Sequence, residues 1–335
     1  MTESKPSGPT KRPTIKDVAR LAGVSIGTVS FALNGTGPVG SDVRKRVLTA
    51  VDELGYRSNQ SARSIRTGRS QTIGLVLPDL TNPFFPQLAQ AFEEAASEAG
   101  YAVLLVDSQN GRTERQGLER LDRHGVDGIC WCPASEHDAA AEIGLTIPIA
   151  LIDRPLPGYD VVLSDFRAGG ELLARHVVDA GFDAIGLLTG PDDLPGAKQR
   201  RGSFRHALGA SSNIRWEVTT PYSLELSQEA IQHLSRFDVD AVVCPNDMAA
   251  IAVIHFLNDK GRTVPDDVAV LGFDDIPWAT IVRPHLTTVR QPIGDLGREA
   301  FALLMCRIGM PSAPRRTISL DVTFVERNST RSRQT

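Results

Sequence analysis

Apolar and polar positions along this chain follow two different rhythms. Between Ile15 and Leu54 apolar residues recur every three or four positions in three short stretches, Ile15 to Ala22, Ile26 to Asn34 and Asp42 to Leu54, the spacing of amphipathic helices. Thr14, with Asp17 three positions on, is placed to cap the first, Ser25 the second and Ser41 the third, while Gly23 supplies a tight turn. Two helices joined by a short glycine-containing turn predict a helix-turn-helix. In the second helix the phase puts Ile26, Val29, Ala32 and Leu33 on one face and Gly27, Thr28 and Phe31 on the opposite one. A phenylalanine facing away from the core is the anomaly of this stretch.

From Gln71 onward short apolar runs alternate with helix-length amphipathic segments. "IGLVL" (73 to 77), "AVLLV" (102 to 106), "GICWC" (128 to 132) and "IALI" (149 to 152) read as buried parallel strands. The pattern restarts with "VVL" (161 to 163), "AIGLL" (184 to 188), "AVVC" (241 to 244) and "VAVLGF" (268 to 273). The expected fold is therefore an N-terminal all-α helix-turn-helix headpiece followed by an α/β core of two doubly wound parallel-sheet subdomains. A ligand crevice is expected between them at the carboxyl ends of the strands. The boundaries read as a disordered leader (1–12), the headpiece (13–57), a hinge helix or linker (58–70) and the core (71–335). Within the core, one subdomain takes about 71–163 and 291–325, and the other about 164–290.

Charge sharpens this division. The net charge of −4 hides a basic head, with twelve Lys/Arg and five Asp/Glu in residues 1–70, on a body holding 24 and 35. A small basic unit on an acidic body is expected to meet a polyanion. Arg44, Lys45 and Arg46 fall in the third helical pattern, so a solvated tail does not account for them. The four cysteines form no C-x-x-C pair and read as buried thiols, and no cofactor or metal site is expected. No apolar run approaches the roughly 20 residues that span a bilayer, and the first residues lack an apolar signal core, so a cytoplasmic, nucleoid-associated protein is expected. No G-x-G-x-x-G stands between a strand and a helix as a phosphate-binding loop, no G-x-S-x-G does so as a nucleophile elbow, and a P-loop and metal spacing among the seven histidines are absent, which argues against an enzyme.

"TIKDVARLAGVSIGTVSFALNG" and "VRKRVLTAVDELGYRSNQSARSIRTGRS" resemble the DNA-binding headpiece and hinge of the lactose-repressor (LacI/GalR) family of bacterial transcription regulators. "IGLVLPDLTNPFF", "LIDRP", "CPNDMAAIAV", "LGFDDIP" and "PHLTTVRQP" extend the resemblance to about residues 13–327. It implies a repressor that binds a pseudo-palindromic operator as a homodimer, and a periplasmic-binding-protein-like core that senses a small effector. A sugar or sugar derivative fits best and a purine-like ligand second. The chain stops after "VERNSTRSRQT" without the leucine heptads of the family's tetramers, so a dimer is expected.

Residue by residue, the resemblance assigns base reading to Ile26, Gly27 and Phe31, the last where the family carries an arginine. Apolar residues there suit thymine methyl groups rather than guanine. The alternative is that Phe31 folds back onto Leu33 or Val39. Thr14, Ser25, Thr28, Ser30, Asn34, Arg44, Lys45 and Arg46 match positions that meet phosphates. In the hinge, Asn59, Ala62 and Ile65 match the segment that enters the minor groove, with Ser58 for the usual proline and Ile65 for the usual leucine lever. If Ile65 is instead a buried hinge residue, the central step stays unbent. The effector pocket maps onto Phe84, Phe85, Asp153, Asp165, Arg200, Asn246, Asp247 and Asp274, and Tyr222 is placed either to stack on a ligand ring or at the surface. Arg201 beside Arg200 leaves the register open by one residue, Asp247 and Asp275 fit equally well as helix caps, and Trp278 either lines the rim or packs. A solute-binding protein is the competing reading, against which the helix-turn-helix counts. The direction in which the effector shifts operator affinity is not legible.

Overall fold

A computed structural model of the chain describes residues 13–34, 37–56, 69–109, 111–209 and 213–331. They fall into two units that divide between Ser70 and Gln71.

The first unit holds three helices, α1 (Ile15–Ala22), α2 (Ile26–Asn34) and α3 (Ser41–Leu54). The Thr14 N–H and hydroxyl donate to the Asp17 carboxylate at 2.9 and 2.7 Å, and the Ser25 hydroxyl accepts the Thr28 N–H at 3.0 Å, so both predicted helix starts are capped locally. Gly23 ends α1 at φ 66°, a left-handed conformation that glycine adopts without strain. Two expectations need correction. Ser41 is the first residue of α3 rather than its cap, because the Gly40 carbonyl already accepts the Arg44 N–H at 3.0 Å. Ile26, assigned by phase to the buried face, is 45% exposed. The core of this unit consists of Val18, Ala19, Ala22, Val29, Ala32, Val47 and Ala50, which draws on α2 only from its second turn.

The second unit contains two six-stranded sheets. The first runs β11-β5-β4-β3-β1-β2, all parallel, from β1 (Thr72–Leu77), β2 (Ala102–Asp107), β3 (Ile129–Trp131), β4 (Ile149–Ile152), β5 (Asp160–Ser164) and β11 (Thr317–Leu320). The second runs β12-β10-β9-β8-β6-β7, from β6 (Ala184–Thr189), β7 (Asn213–Thr219), β8 (Ala241–Val243), β9 (Ala269–Asp274), β10 (Thr287–Arg290) and β12 (Thr323–Val325). Only the β10–β12 pair is antiparallel.

Alternation along the strands explains why each sheet is covered on both faces. Ile73, Leu75 and Leu77 pack under α4 (Phe84–Glu98) and α11 (Ile293–Gly309), whereas Val76, Ile129 and Trp131 point to the face of α5 (Gly111–Arg123) and α6 (Ala139–Glu142). In the second sheet Ile185, Leu187 and Phe273 meet α7 (Phe166–Asp179) and α8 (Pro195–Leu208), while Val242, Val270 and Leu188 meet α9 (Gln228–Leu234) and α10 (Asp247–Asp259). Met248 and Ile276 of the second subdomain join the first subdomain's apolar cluster, so the two share a dry seam.

The chain passes between the sheets three times, from β5 into α7, from β10 into α11, and from β11 to β12. The last passage corrects the expected boundary. Residues 291–325 do not all belong to the first subdomain, since Thr323–Val325 pairs with β10 in the second sheet.

Candidate nucleic-acid interface and ligand crevice

Helix α2 presents its chemistry from its first turn. Ile26 and Phe31 are 45% and 47% exposed, Gly27 is exposed, and Thr28 and Ser30 are half-buried. The Ser25 and Thr28 hydroxyls lie 2.8 Å apart, which ties the cap to the exposed face. The Phe31 ring lies against Gly37, where a β-carbon would come within 3.0 Å of its carbons; this contact steadies one side of the ring and leaves the other to solvent. Thr14, Lys45 and Arg46 are exposed and Arg44 is half-buried. Asn59, Ala62, Ile65 and the Asn34 side chain lie outside the described residues.

In the second unit the carboxyl ends of both sheets supply one crevice, lined by Asn82, Phe84, Phe85, Asp153, Arg154, Phe166, Arg200, Tyr222, Asn246, Asp274 and Gln291. This is where an open α/β sheet presents its loops and helix starts, so ligand groups gather there. Phe84 and Phe85 meet edge to face with centroids 5.1 Å apart, held by Asn82, whose side-chain oxygen accepts the Phe84 N–H at 3.1 Å. Arg200 reaches in from α8. Its guanidinium donates to the Tyr222 hydroxyl at 2.5 Å and the Pro245 carbonyl at 3.0 Å, and it stacks over Phe273, Phe166 and Tyr222 at 4.6, 5.2 and 5.3 Å. Gly190 makes room for this arrangement, because a β-carbon there would lie 2.2 Å from the Tyr222 oxygen.

Two carboxylates sit in the crevice with left-handed backbones, Asp153 at φ 65° and Asp274 at φ 118°. Such strain in non-glycine residues clusters at sites whose surroundings hold them in place. Burial pushes both carboxyls up, against the pull of Arg154 and Arg200 on Asp153 and of Arg200 and Gln291 on Asp274; the Asp274 carboxyl reaches about 7. Gln291 donates its amide to Asp274 at 2.7 Å, and Asn246 accepts the Ala249 N–H at 3.0 Å to cap α10. Among the described residues, three polar atoms around the crevice are buried without a hydrogen-bond partner: Asp153 Oδ1, Asn246 Nδ2 and Gln291 Oε1. Two accept and one donates, a set that hydroxyl groups of a neutral polyol satisfy.

Other expected residues lie elsewhere. Asp165 is not among the crevice-lining residues; its carboxylate caps α7 by accepting the Ala168 N–H at 2.8 Å. Arg201 pairs with Asp192 at 2.6 Å, so Arg200 is the arginine that faces the crevice. Asp247 is fully buried behind the crevice, where it accepts from the Thr288 hydroxyl at 2.6 Å and the Ile276 N–H at 2.9 Å, and Asp275 is paired with Arg290 and Arg327. Trp278 lies 38% exposed on a single 3-10 turn, Pro277–Thr280, and does not line the crevice. Sequence reasoning missed Arg154, Phe166 and Gln291, although Arg154 and Phe166 directly follow Asp153 and Asp165 and Gln291 stands in "PHLTTVRQP".

Residues 14–59 match the model of the bacterial regulatory proteins of the lacI family, and residues 174–330 match a periplasmic binding protein-like domain. The ribose operon repressor of Bacillus subtilis (strain 168) is 36% identical over 322 residues, which cover 95% of this chain and 98% of that one. Among solved structures, the lac repressor dimer bound to operator and the anti-inducer ONPF superposes with a TM-score of 0.85 at 25% identity, covering 95% of this chain and 99% of that one. A LacI family transcriptional regulator from Enterococcus faecium with bound ribose superposes with a TM-score of 0.70 at 28% identity, covering 78% of this chain and 100% of that one.

Proposed function

The chain belongs to the lacI family of bacterial regulatory proteins, and we propose that it represses transcription as a homodimer whose operator affinity is set by a ribose-class sugar held between the core subdomains. The observation that carries the sugar assignment is the set of three unpartnered polar atoms, Asp153 Oδ1, Asn246 Nδ2 and Gln291 Oε1, beside the aromatic faces of Phe84, Phe85 and Phe166. An aromatic floor with fixed acceptors and donors suits a small polyhydroxylated ring, and the ribose in the Enterococcus faecium relative supports that size class. A purine base carries fewer donors than a sugar's ring of hydroxyls and would serve the Asp153 and Asp274 carboxyls less fully.

Control of DNA binding follows from linkage. A sugar that contacts both subdomains favours one relative orientation of them and shifts operator affinity by the difference in its affinity for the two states. The relatives named ribose operon repressor support control of a sugar operon, and the sign we propose is relief of repression by the sugar. Its place of action is chromosomal DNA in the cytoplasm, because the partner is an operator. Ile26, Gly27 and Phe31 read bases, and Thr14, Ser25, Thr28, Ser30, Asn34 and Arg44 position the headpiece on phosphates; Asn59, Ala62 and Ile65 enter the minor groove.

The test uses the full chain with selected duplex oligonucleotides, with and without D-ribose. Tight capture of a palindromic sequence is expected, weakened at least tenfold by D-ribose and unaffected by hypoxanthine; failure to enrich any sequence at low salt overturns the regulator reading. The same selection tests Phe31. Wild-type protein is expected to enrich thymine opposite that residue and a Phe31→Arg variant guanine, a contrast worth about 1–3 kcal/mol per base pair. Equal guanine enrichment by both proteins removes Phe31 from base reading.

Sugar binding is also expected to depend on pH. Hydroxyl donors favour the ionised Asp274 carboxyl, so binding lowers its raised pKa of about 7 and expels a proton. Affinity should rise about tenfold from pH 6 to pH 8, and the trend should flatten in Asp274→Asn. Calorimetry in buffers of different ionisation enthalpy measures the proton directly. In the sugar-free protein the sign is opposite for stability. The elevated carboxyl contributes most below its unfolded value, and that contribution is lost as pH rises through about 7.

A further inference from the structure

Behind the crevice lies a carboxylate that the site as described does not use. Glu114 on α5 is 0% exposed, and its Oε1 accepts two hydrogen bonds, from Trp131 Nε1 at 2.8 Å and from the Ala134 N–H at 2.7 Å. Its other oxygen, Oε2, is buried without a partner. The Ala134 N–H belongs to the same peptide unit as the Pro133 carbonyl, and that carbonyl accepts Arg154 Nη1 at 2.7 Å. Arg154 lines the crevice next to Asp153.

One peptide plane is thus held from both edges, by Glu114 on its N–H and by Arg154 on its C=O. Because the amide is rigid, a rotation that breaks the first bond swings the carbonyl away from the second. The two bonds also polarise each other, since a charged acceptor on the N–H makes the carbonyl a better acceptor for the guanidinium. Burial raises the Glu114 carboxyl, opposed by its bonds to Trp131 and Ala134.

We propose that Glu114 is a positioning residue for the effector site: through the Pro133–Ala134 peptide it fixes the Arg154 guanidinium and thereby sets sugar affinity without touching the sugar. The proposal rests on the sugar-effector reading above, and its test separates the two.

Calorimetric titration of the full chain with D-ribose is compared across Glu114→Ala, Glu114→Gln, Trp131→Phe and Arg154→Ala, with unfolding midpoints measured for each. Glu114→Ala is expected to weaken D-ribose binding about 10-fold, in the range seen when groups that orient a ligating side chain are removed. Glu114→Gln keeps a carbonyl acceptor for the Ala134 N–H and should stay within about threefold of wild type. Trp131→Phe lowers stability but leaves the hydrogen bond from the Ala134 N–H to Glu114 in place, so its sugar affinity should hold. In the Arg154→Ala background, Glu114→Ala should cost no further affinity, because the group it positions is gone.

Two results overturn the proposal: a Glu114→Ala protein that is less stable yet binds D-ribose as wild type does, or losses from the two substitutions that multiply in full. If wild-type protein takes up no sugar, the effector reading fails on that result alone. The peptide clamp is then decided by the unfolding cycle for Glu114 and Arg154, where coupling supports it and strict additivity refutes it.

Discussion

Replacing Arg200 by leucine is expected to weaken D-ribose binding by at least about 100-fold and to leave the operator complex insensitive to the sugar. The guanidinium is held before any ligand arrives, by the Tyr222 hydroxyl, the Pro245 carbonyl and three aromatic rings, so little ordering cost is left for the binding step. A charged hydrogen bond of this kind contributes about 1.5–3 kcal/mol, and two lost to a ligand account for the factor expected. A second effect acts in the same direction. Arg200 offsets the burial of Asp274 and Asp153, so without it both carboxyls shift further up and become poorer acceptors near neutral pH. Leucine keeps an apolar side chain at this position but not the guanidinium stacked on Phe166 and Phe273, so an unfolding midpoint measured alongside separates loss of recognition from loss of fold. Titration calorimetry and operator anisotropy with added sugar measure the outcome; affinity within threefold of wild type would show that the arginine serves packing alone.

The second large effect concerns stability rather than recognition. Asp160→Ala is expected to destabilise the core by about 3–5 kcal/mol, because it strands a buried guanidinium. Arg307 is 5% exposed and donates to Asp160 at 2.6 Å, while its remaining donors hold the Pro311 and Ala313 carbonyls at 2.7 and 2.8 Å. The same carboxylate accepts the Arg316 N–H at 2.9 Å, so a single side chain ties the end of α11 to the start of β5 and the approach to β11. Burial alone would raise the Asp160 carboxyl, but bonds from Arg307, Arg316 and Arg315 outweigh it and hold it below the usual range. The stability it supplies is therefore present above the ordinary carboxylate value and is lost as pH falls through the folded one. Arg315→Ala removes a half-exposed partner and should cost under about 1 kcal/mol. Thermal unfolding of the three proteins at neutral pH tests the contrast, and equal midpoints for Asp160→Ala and Arg315→Ala would refute it.

The sequence displayed most strongly what repeats. Continuous apolar runs located β1 to β6, β8 and β9, since strands buried on both faces carry no polar alternation to obscure them. β2 corrects the expectation of burial, because it lies at the sheet edge with Leu104 and Leu105 37% and 44% exposed despite its unbroken apolar run. It hid what depends on neighbours. In β7, Ile214, Trp216 and Val218 alternate with polar residues because an edge strand is half-wetted, a signal of period two that a search for unbroken runs passes over. β10 buries Thr287 and Thr288 completely, which no hydropathy pattern announces, because Asp247, Ser329 and Thr330 satisfy their polar groups. The crevice shows the same division. Phe84, Phe85, Asp153, Asn246 and Asp274 stand in recognisable strings and line it, as Arg200 and Tyr222 do without such a string, while Asp165 matches the resemblance but spends its carboxylate on a helix end. Glu114 carried no signal, since its importance lies in a peptide plane formed by residues 133 and 134.

The three passages of the chain between the sheets bear on how the protein is made. Synthesis delivers the headpiece first, yet both sheets stay incomplete until the final strands, Thr317–Leu320 and Thr323–Val325, leave the ribosome and join the edges of opposite sheets two residues apart. A chain ended just before Thr317 would carry a finished headpiece on a body that lacks an edge strand from each half. Premature termination near the 3′ end is thus expected to uncouple this protein's two tasks rather than to remove both.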